Sequence, residues 1–254
     1  MIVRFEYQGH VHHGLLEEGQ ITGIEGDIFN EYYATQTRIP LSEVKLLAPV
    51  QPSKIVCVGL NYIDHAREVN LEIPKAPLFF LKPSTTVVGP EDRVVYPTQS
   101  QRVDYEAELG IVIKKKTYQV SEQEASDYIL GYTCANDVTA RDIQFADGQW
   151  TRGKSFDTFC PIGPGIVPNL DPSNLEIKLM LNGEVKQISH TSNLIFSVPY
   201  LVHYISQVMT LLPGDVIITG TPAGIGPMDI GDEVCVYIEE IGELKNYIAS
   251  TESR

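Results

Sequence analysis

The segment from Asp104 to Ile113 limits what this chain can fold into more than any other, because its side chains alternate with a period of two. Such alternation, followed by a β-branched run, is typical of a β-strand. In a strand, Asp104, Glu106 and Glu108 point to one face and lie about 7 Å apart. No basic residue is interleaved with these like charges, so they repel one another. Two interpretations stay open at this point: a solvent-exposed strand face, which is the commoner arrangement, or a face that holds a cation.

Length and charge limit the class of protein. A chain of 254 residues is long enough for one large domain, or for a domain with a small appendage. Its formal net charge of -14 argues against nucleic acid and anionic membranes as partners. No apolar run approaches the roughly 18 residues of a membrane span. Met1 to Glu6 lack the features of a secretory signal, and the 4 cysteines form no C-x-x-C pair. We therefore expect a cytoplasmic globular protein.

The order of the predicted elements indicates two domains. Residues 1–48 form short alternating segments separated by glycine-containing turns, which predicts a small N-terminal β-meander. The proline-rich segment from Pro49 to Pro52 is a stiff linker, and residues 53–250 form the main domain. The chain has many predicted strands, few predicted helices and no β-α-β rhythm. It therefore predicts a β-rich α+β architecture.

A few local signals predict individual elements. Apolar spacing and capping residues favour helices at Ser121–Ile129, Asp137–Gln144 and Val198–Met209. The first begins with a capping box, and in the second the aspartate is the expected N-cap. Asn182–Gly183 predicts a type I′ hairpin turn between two strands.

His65 and Glu68 are three residues apart in a segment that can form a short helix, so they lie on one helical face. A carboxylate beside an imidazole can orient it as a general base. The alternative is a surface contact between the two side chains. The segment alone does not decide between them.

Taken together, several motifs resemble the fumarylacetoacetate hydrolase family. The match runs in order from about Lys54 to about Ile248, and residues 1–48 resemble the N-terminal extension of bacterial members. The resemblance implies a mixed β-roll, a divalent cation and a homodimer. The motifs that carry it are Asn61-Tyr62-x-x-His65-x-x-Glu68, Phe80-Leu81-Lys82-Pro83, Asp104-Tyr105-Glu106-x-Glu108-Leu109, Asp137-Val138-Thr139-Ala140-Arg141-Asp142-x-Gln144, Gly153-Lys154-Ser155-Phe156 and Thr219-Gly220-Thr221-Pro222.

The resemblance also implies roles for particular residues. Glu106, Glu108 and Asp137 match the family's carboxylate ligands, and a set of hard oxygen donors suits Mg²⁺ or Mn²⁺, with Ca²⁺ as a substitute in crystals. A cation there would remove the repulsion along the acidic strand. His65 and Glu68 match a catalytic dyad, to which Lys154 is added as a catalytic residue. The substrate-contacting positions are matched by Arg141, Gln144, Lys154 and Thr221.

The expected activity follows from one departure from the family pattern. The long animal hydrolase has a further acidic ligand, and Gly59-Leu60-Asn61-Tyr62 offers no equivalent. This chain therefore resembles the shorter branch, which implies a metal-dependent hydrolase that cleaves a carbon–carbon bond in 2,4-dioxo acids. The alternatives on the same site are a 2-hydroxyhepta-2,4-diene-1,7-dioate isomerase and a decarboxylase of oxaloacetate or of 5-oxopent-3-ene-1,2,5-tricarboxylate. A non-catalytic anion-binding protein is a further alternative. The expected substrate is a small anionic 2-oxo acid, with its tail specificity in the loops Glu68–Pro77 and Phe145–Arg152.

Overall fold

A computed structural model describes residues 1–68 and 72–253. Residues 69–71 belong to the predicted specificity loop Glu68–Pro77 and lie outside the described residues. The helices are α1 (Ile63–Glu68), α2 (Arg141–Asp147), α3 (Thr151–Lys154) and α4 (Val198–Val208). The strands are β1 (Ile2–Tyr7), β2 (His10–Glu17), β3 (Gln20–Gly26), β4 (Tyr32–Pro40), β5 (Lys45–Leu47), β6 (Lys54–Val58), β7 (Phe79–Pro83), β8 (Val87–Val88), β9 (Arg93–Val95), β10 (Val103–Tyr105), β11 (Ala107–Ile113), β12 (Ile129–Asn136), β13 (Thr139–Ala140), β14 (Cys160–Val167), β15 (Glu176–Leu181), β16 (Glu184–His190), β17 (Val216–Ile218), β18 (Gly226–Met228), β19 (Glu233–Ile238) and β20 (Gly242–Ala249).

The strands form mixed sheets, which confirms the predicted β-rich α+β architecture. The largest sheet has the order β4-β3-β2-β1-β14-β12-β11-β17-β6-β7, with β5 and β8 attached at its side. A second sheet has the order β16-β15-β19-β20-β9, and a small third sheet has the order β13-β10-β18. Strand β1 pairs with β14 through Ile2 and Ile166, so the N-terminal strands extend the largest sheet. The domain boundary near Pro49 stays a prediction.

Strand β11 lies at the centre of the core, between β12 and β17. Every one of its residues is buried, and Leu109, Ile111 and Ile113 belong to the main hydrophobic cluster. A β-branched run that is apolar on both faces is suited to such a central strand. The acidic residues at its N-terminal end are therefore carried into the interior of the protein.

The acidic segment is not the solvent-exposed strand face that its alternation favoured, and that interpretation is wrong. Asp104, Glu106 and Glu108 are 0%, 5% and 1% exposed. The predicted single strand is also interrupted at Glu106, where β10 of the small sheet ends and β11 of the largest sheet begins. The acidic side chains thus lie where two sheets meet.

One of the predicted helices is wrong, and another begins four residues later than predicted. Around Ser121 the capping box does form, because the Ser121 N–H donates to Glu124 Oε2 and the Glu124 N–H donates to Ser121 Oγ. Only a short 3₁₀ turn, Ala125–Tyr128, follows, since Ile129 already pairs with β11 as part of β12. Asp137 is not an N-cap either, because α2 begins at Arg141. Local capping signals are outweighed here by strand pairing in the core.

The strongest local signals are confirmed. Asn182 and Gly183 both have positive φ angles, of 53° and 79°, in the turn between β15 and β16. Such angles at both central positions are what a type I′ turn requires. The amphipathic helix is α4, which is capped by Ser197 and buries Leu201 and Ile205. None of the helices in the described part of the chain is long and apolar enough to cross a membrane.

The buried carboxylate of Asp215 joins the start of β17 to the start of β6. It accepts hydrogen bonds from the backbone and hydroxyl of Ser53, from the backbone and ammonium of Lys54, and from the Leu212 N–H. Burial alone would raise the pKa of Asp215, but these donors, Lys54 first, lower it below its ordinary value. The pair of parallel strands β6 and β17 is therefore fixed at the end remote from the buried acidic side chains of Glu106 and Glu108.

Candidate metal and catalytic site

Glu106, Glu108 and Asp137 each direct a carboxylate oxygen to one point, and these oxygens lie within 4.8 Å of one another. The pairing of β11 with β12 produces this convergence, since it places Ala107 opposite Asn136. The Asp137 N–H donates to the Glu106 carbonyl over 2.9 Å, and the Glu106 N–H donates to Asn136 Oδ1 over 2.9 Å. Residues about thirty positions apart in sequence are thereby held side by side.

The cluster shifts the pKa values of its members in opposite directions. Burial alone would raise the pKa of Glu106, but Lys154 and Arg141 hold it well below its ordinary value. Glu108 accepts a 2.7 Å hydrogen bond from the Gly220 N–H. Burial, followed by repulsion from Asp137 and Glu106, nevertheless raises the pKa of Glu108 well above its ordinary value. Glu108 is therefore the carboxylate whose charge is least compensated by the protein.

Lys154, at the end of α3, lies between two of the carboxylates. Its ammonium donates to Glu106 Oε2 over 2.8 Å and to Asp137 Oδ2 over 2.6 Å. Burial would lower the pKa of Lys154, but the two carboxylates raise it, so the side chain stays protonated. Lys154, which matched a substrate-contacting position in the sequence, is thus a cation inside the group of buried carboxylates.

Arg141, the first residue of α2, closes the other side of the cluster. Its Nε donates to Asp104 Oδ2 over 2.8 Å, and a terminal nitrogen contacts Glu106. A second terminal nitrogen donates to Gln144 Oε1 over 2.6 Å, as expected for residues three apart on a helix. Asp104, the acidic residue of the segment Asp104–Ile113 that is not part of the converging group, therefore holds Arg141 in place.

Lys82 was given no role from the sequence, yet it is completely buried beside Asp137. Its ammonium donates to the carbonyls of Val138 and Phe159, over 3.0 Å and 2.6 Å, and it contacts Asp137 Oδ1. The available signal was a lysine inside the apolar strand Phe79–Pro83, since a lysine is almost never fully buried unless it is paired. Lys82 therefore compensates the charge of Asp137 at Oδ1, whereas Lys154 compensates it at Oδ2.

The buried cluster carries more acids than bases. Its acids are Asp104, Glu106, Glu108 and Asp137, and its bases are Lys82, Arg141 and Lys154. Three converging carboxylates without cysteine or histidine are the donor set of a hard divalent cation such as Mg²⁺ or Mn²⁺. The residues present therefore fit a divalent metal ion, whose charge would compensate Glu108 in particular.

Helix α1 carries the predicted dyad over this cluster. His65 Nδ1 lies 2.8 Å from Glu68 Oε2, so the two side chains are hydrogen-bonded. The other carboxylate oxygen of Glu68 accepts a 2.9 Å hydrogen bond from the Gly224 N–H of the glycine-rich loop, residues 219–225 between β17 and β18. Asp64 Oδ2 accepts from Ser189 Oγ over 3.0 Å. The helix is therefore anchored to two other segments, which fixes the direction of the imidazole.

A cavity of about 430 Å³ joins these groups. Thr221, the residue expected to hold a carboxylate, lines it, and its hydroxyl accepts a 2.9 Å hydrogen bond from the buried amide of Gln187. No sequence pattern indicated this buried glutamine, whose oxygen also accepts from the Ala107 N–H. The cavity is lined by Val58, Gly59, Leu60, His65, Phe80, Glu106, Asp137, Arg141, Gln144, Phe145, Trp150, Lys154, Thr221 and Ile225.

Comparison with known families and proteins gives a consistent result. A family model described as fumarylacetoacetate (FAA) hydrolase C-terminal matches residues 54–249, and one described as Rv2993c-like, N-terminal matches residues 1–49. The mitochondrial oxaloacetate tautomerase of Bos taurus is 44% identical over 247 residues, which are 92% of this chain and 78% of the bovine protein. A protein of Archaeoglobus fulgidus is 54% identical over 248 residues, 97% of this chain and 95% of its own. The crystal structure of 2-hydroxyhepta-2,4-diene-1,7-dioate isomerase from Mycobacterium marinum is 44% identical, covers 98% of both chains and has a TM-score of 0.93.

Proposed function

This chain belongs to the fumarylacetoacetate hydrolase family, and from that premise we propose that it catalyses keto–enol proton transfer on a small 2-oxo acid. One observation carries the proposal: the paired imidazole of His65 lines the same cavity as the carboxylates and the cations Arg141 and Lys154. The similar proteins support it, because a tautomerase and an isomerase both move a proton and a double bond. The same constellation also serves related reactions, and the experiments below separate them.

The anionic end of the substrate binds at the polar end of the cavity. Arg141 and Lys154 supply the positive charge that the acidic chain otherwise lacks, and Gln144 and Thr221 supply hydrogen-bonding groups. Glu106, Glu108 and Asp137 would hold the divalent ion. Such an ion polarises a carbonyl oxygen and stabilises negative charge that develops on it.

His65 acts as the proton acceptor. With Nδ1–H donated to Glu68, the unprotonated Nε2 is free to take a proton from carbon 3 of the 2-oxo acid. Glu68 keeps the imidazole in this tautomer and is itself held by the Gly224 N–H. The protonated imidazole then returns the proton to carbon 3 or delivers it to the enol oxygen.

Hydrolysis of a 2,4-dioxo acid is the second candidate, and the size of the cavity favours it. A volume of about 430 Å³ leaves room for a substrate longer than four carbons together with a water molecule. In that reaction His65 takes a proton from water, and the hydroxide attacks the carbonyl at carbon 4. The bond between carbons 3 and 4 then breaks, which releases a carboxylic acid and the enolate of pyruvate. Carbon 3 of this enolate is protonated to give pyruvate.

The test is proton exchange at carbon 3, measured by NMR in D₂O with oxaloacetate and acetylpyruvate. With Mg²⁺ we expect exchange well above the spontaneous rate, and with excess chelator we expect it to fall to that rate. His65→Gln should lower the rate by roughly two to four orders of magnitude. The matched control is His10→Gln on the exposed part of β2, which should change nothing. Exchange that is unaffected by His65→Gln would remove the imidazole from the mechanism.

The products separate the two candidates. Formation of acetate and pyruvate from acetylpyruvate identifies hydrolysis, whereas exchange without cleavage identifies tautomerisation alone. The homodimer implied by the family resemblance is also a proposal. It is tested by light scattering of the purified protein, for which a mass of 28.3 kDa would indicate a monomer.

A further inference from the structure

We propose that the cavity selects 2-oxo acids with an uncharged, apolar tail, and that Trp150 and Phe145 are the specificity-determining residues that contact this tail. The inference rests on the proposed function and assigns the substrate class of that same site. It depends on the small number of cations that line the cavity and on the aromatic side chains that line the rest of it.

The positive charge of the cavity is concentrated around one carboxylate. Among the described residues that line the cavity, the lysine and arginine side chains are Lys154 and Arg141. Both contact the carboxylate of Glu106, so the two cations lie close to each other. Arg152, in helix α3, is paired with Asp147 and is not a lining residue. A second carboxylate at the other end of a substrate would therefore find no further lysine or arginine among the described lining residues.

Trp150 and Phe80 form an aromatic wall beside Lys154, whose ammonium lies 5.2 Å from the centre of the Phe80 ring. Their rings meet edge to face, with centroids 5.3 Å apart and an interplanar angle of 80°. The indole also lies against the backbone of Gly59, because a Cβ atom at this glycine would be 2.9 Å from Trp150 Cζ3. The absence of a side chain at position 59 thus allows the indole to occupy this wall. The wall is apolar, and it lies in the same cavity as the reacting groups.

Phe145 extends the apolar surface at the rim. It is 76% exposed, although it follows the buried Gln144 on α2 and lines the cavity. A large apolar side chain so exposed at the mouth of a binding site gains burial when an apolar ligand group covers it. Ile225, from the glycine-rich loop, faces the same space. An alkyl or aryl tail would be covered on several sides, whereas a carboxylate would lose hydration without gaining a partner.

The test uses two acids of equal length, 2-oxohexanoate and 2-oxohexanedioate, which differ in a terminal methyl against a terminal carboxylate. Exchange at carbon 3 measures turnover of each. We expect kcat/KM for 2-oxohexanoate to be higher by roughly tenfold or more, as for other discriminations by an apolar pocket. Equal values, or a preference for the diacid, would overturn the inference.

Variants at the rim make the test specific. Phe145→Ala should reduce the preference by about fivefold, the factor expected for the loss of one aromatic contact. Phe145→Arg adds the missing cation and should reverse the preference. Because position 145 is exposed, neither change is expected to disturb folding. The matched control is Tyr33→Ala, an aromatic side chain that is 65% exposed on β4 and remote from the cavity. An equal effect of the control would also overturn the inference.

Binding is measured separately from turnover. Trp150 is the only tryptophan of the chain, so its fluorescence reports directly on the aromatic wall. Titration with 2-oxohexanoate should change the emission at lower concentrations than titration with 2-oxohexanedioate. If neither acid exchanges protons, the proposed function fails, and this titration alone decides the tail preference. Equal or absent binding of the two acids would refute the preference.

Discussion

Lys82→Met should destabilise the metal-free protein strongly, because it removes a completely buried ammonium and leaves its partners in place. The partners are the carbonyls of Val138 and Phe159 and the carboxylate of Asp137. Methionine has a similar volume, so the effect of a cavity is small. What remains is a buried Asp137 carboxylate whose Oδ1 has lost its cationic partner while Oδ2 keeps Lys154, and two carbonyl oxygens without their donor.

The magnitude follows from the burial of both partners. Lys82 and Asp137 have side-chain exposures of 0% and 1%, so water does not replace the lost ammonium. Removing one member of a buried ion pair costs about 3–5 kcal/mol. For a domain of this size, such a loss corresponds to a decrease in Tm of roughly 6–20 °C. The value is far above the effect of most single substitutions.

The assay is thermal and urea-induced unfolding in the presence of a chelator, so that bound metal does not contribute. The matched control is Lys186→Met, which breaks the 2.8 Å ion pair of Lys186 with Glu184 on the surface. These side chains are 36% and 75% exposed, and a surface ion pair contributes about 0–1 kcal/mol. The comparison therefore isolates burial, since the two substitutions remove the same chemical group.

A double-mutant cycle with Asp137→Asn completes the experiment. If the cost comes from the charge of Asp137 that Lys82 no longer compensates, the double variant should lose less stability than the sum of the single variants. A loss for Lys82→Met that is within about 1 kcal/mol of that for Lys186→Met would contradict the reasoning. Strict additivity in the cycle would show that Lys82 acts through the carbonyls alone.

Three further predictions concern other parts of the molecule. Glu108→Gln relieves repulsion between carboxylates, so the metal-free variant should be at least as stable as the metal-free wild type. The rise in Tm on addition of Mn²⁺ should be smaller for the variant than for the wild type. A larger rise would argue against the metal site. Asp215→Asn should lower the free energy of unfolding at neutral pH, because the pKa of Asp215 is lowered in the folded state. The difference in unfolding free energy from the wild type should be constant above about pH 4 and should shrink as the pH falls through the lowered pKa. Urea unfolding from pH 7 to pH 3 measures this difference. Gly224→Ala places a Cβ against a backbone carbonyl and displaces the N–H that holds Glu68, so kcat should fall. The control is Gly231→Ala, at a glycine with the same φ of 100°, where an added Cβ has no atom within 4 Å. This control should affect stability only.

Hairpins and the amphipathic helix could be predicted because their signals are local. The turn at Asn182–Gly183 needs only two residues that accept positive φ, and α4 needs only an apolar stripe and a serine cap. The helix predicted at Ser121 and the N-cap predicted at Asp137 were wrong for a related reason. Both signals are local, but the residues that follow them pair with strands that are distant in sequence.

The site could be predicted in its composition and only partly in its arrangement. The ordered motifs indicated which carboxylates, cations and imidazole belong together, and the structure brings all of them to one cavity or its immediate border. The burial of Lys82 was indicated only by its position in an apolar strand, and no sequence pattern indicated the support of Thr221 by Gln187. Each depends on contacts between residues more than thirty positions apart.

The amino-acid sequence by itself determined the period of the acidic strand, the types of the ligand and base side chains, and the excess of negative charge they share. Only the tertiary structure decided that this strand is buried where two sheets meet, and that its charges are compensated by Lys82, Arg141 and Lys154. The physical reason is that alternation specifies which side chains share a face, whereas the environment of that face is set by whatever packs against it. A row of acids that repel one another in isolation becomes a site for positive charge once water is excluded.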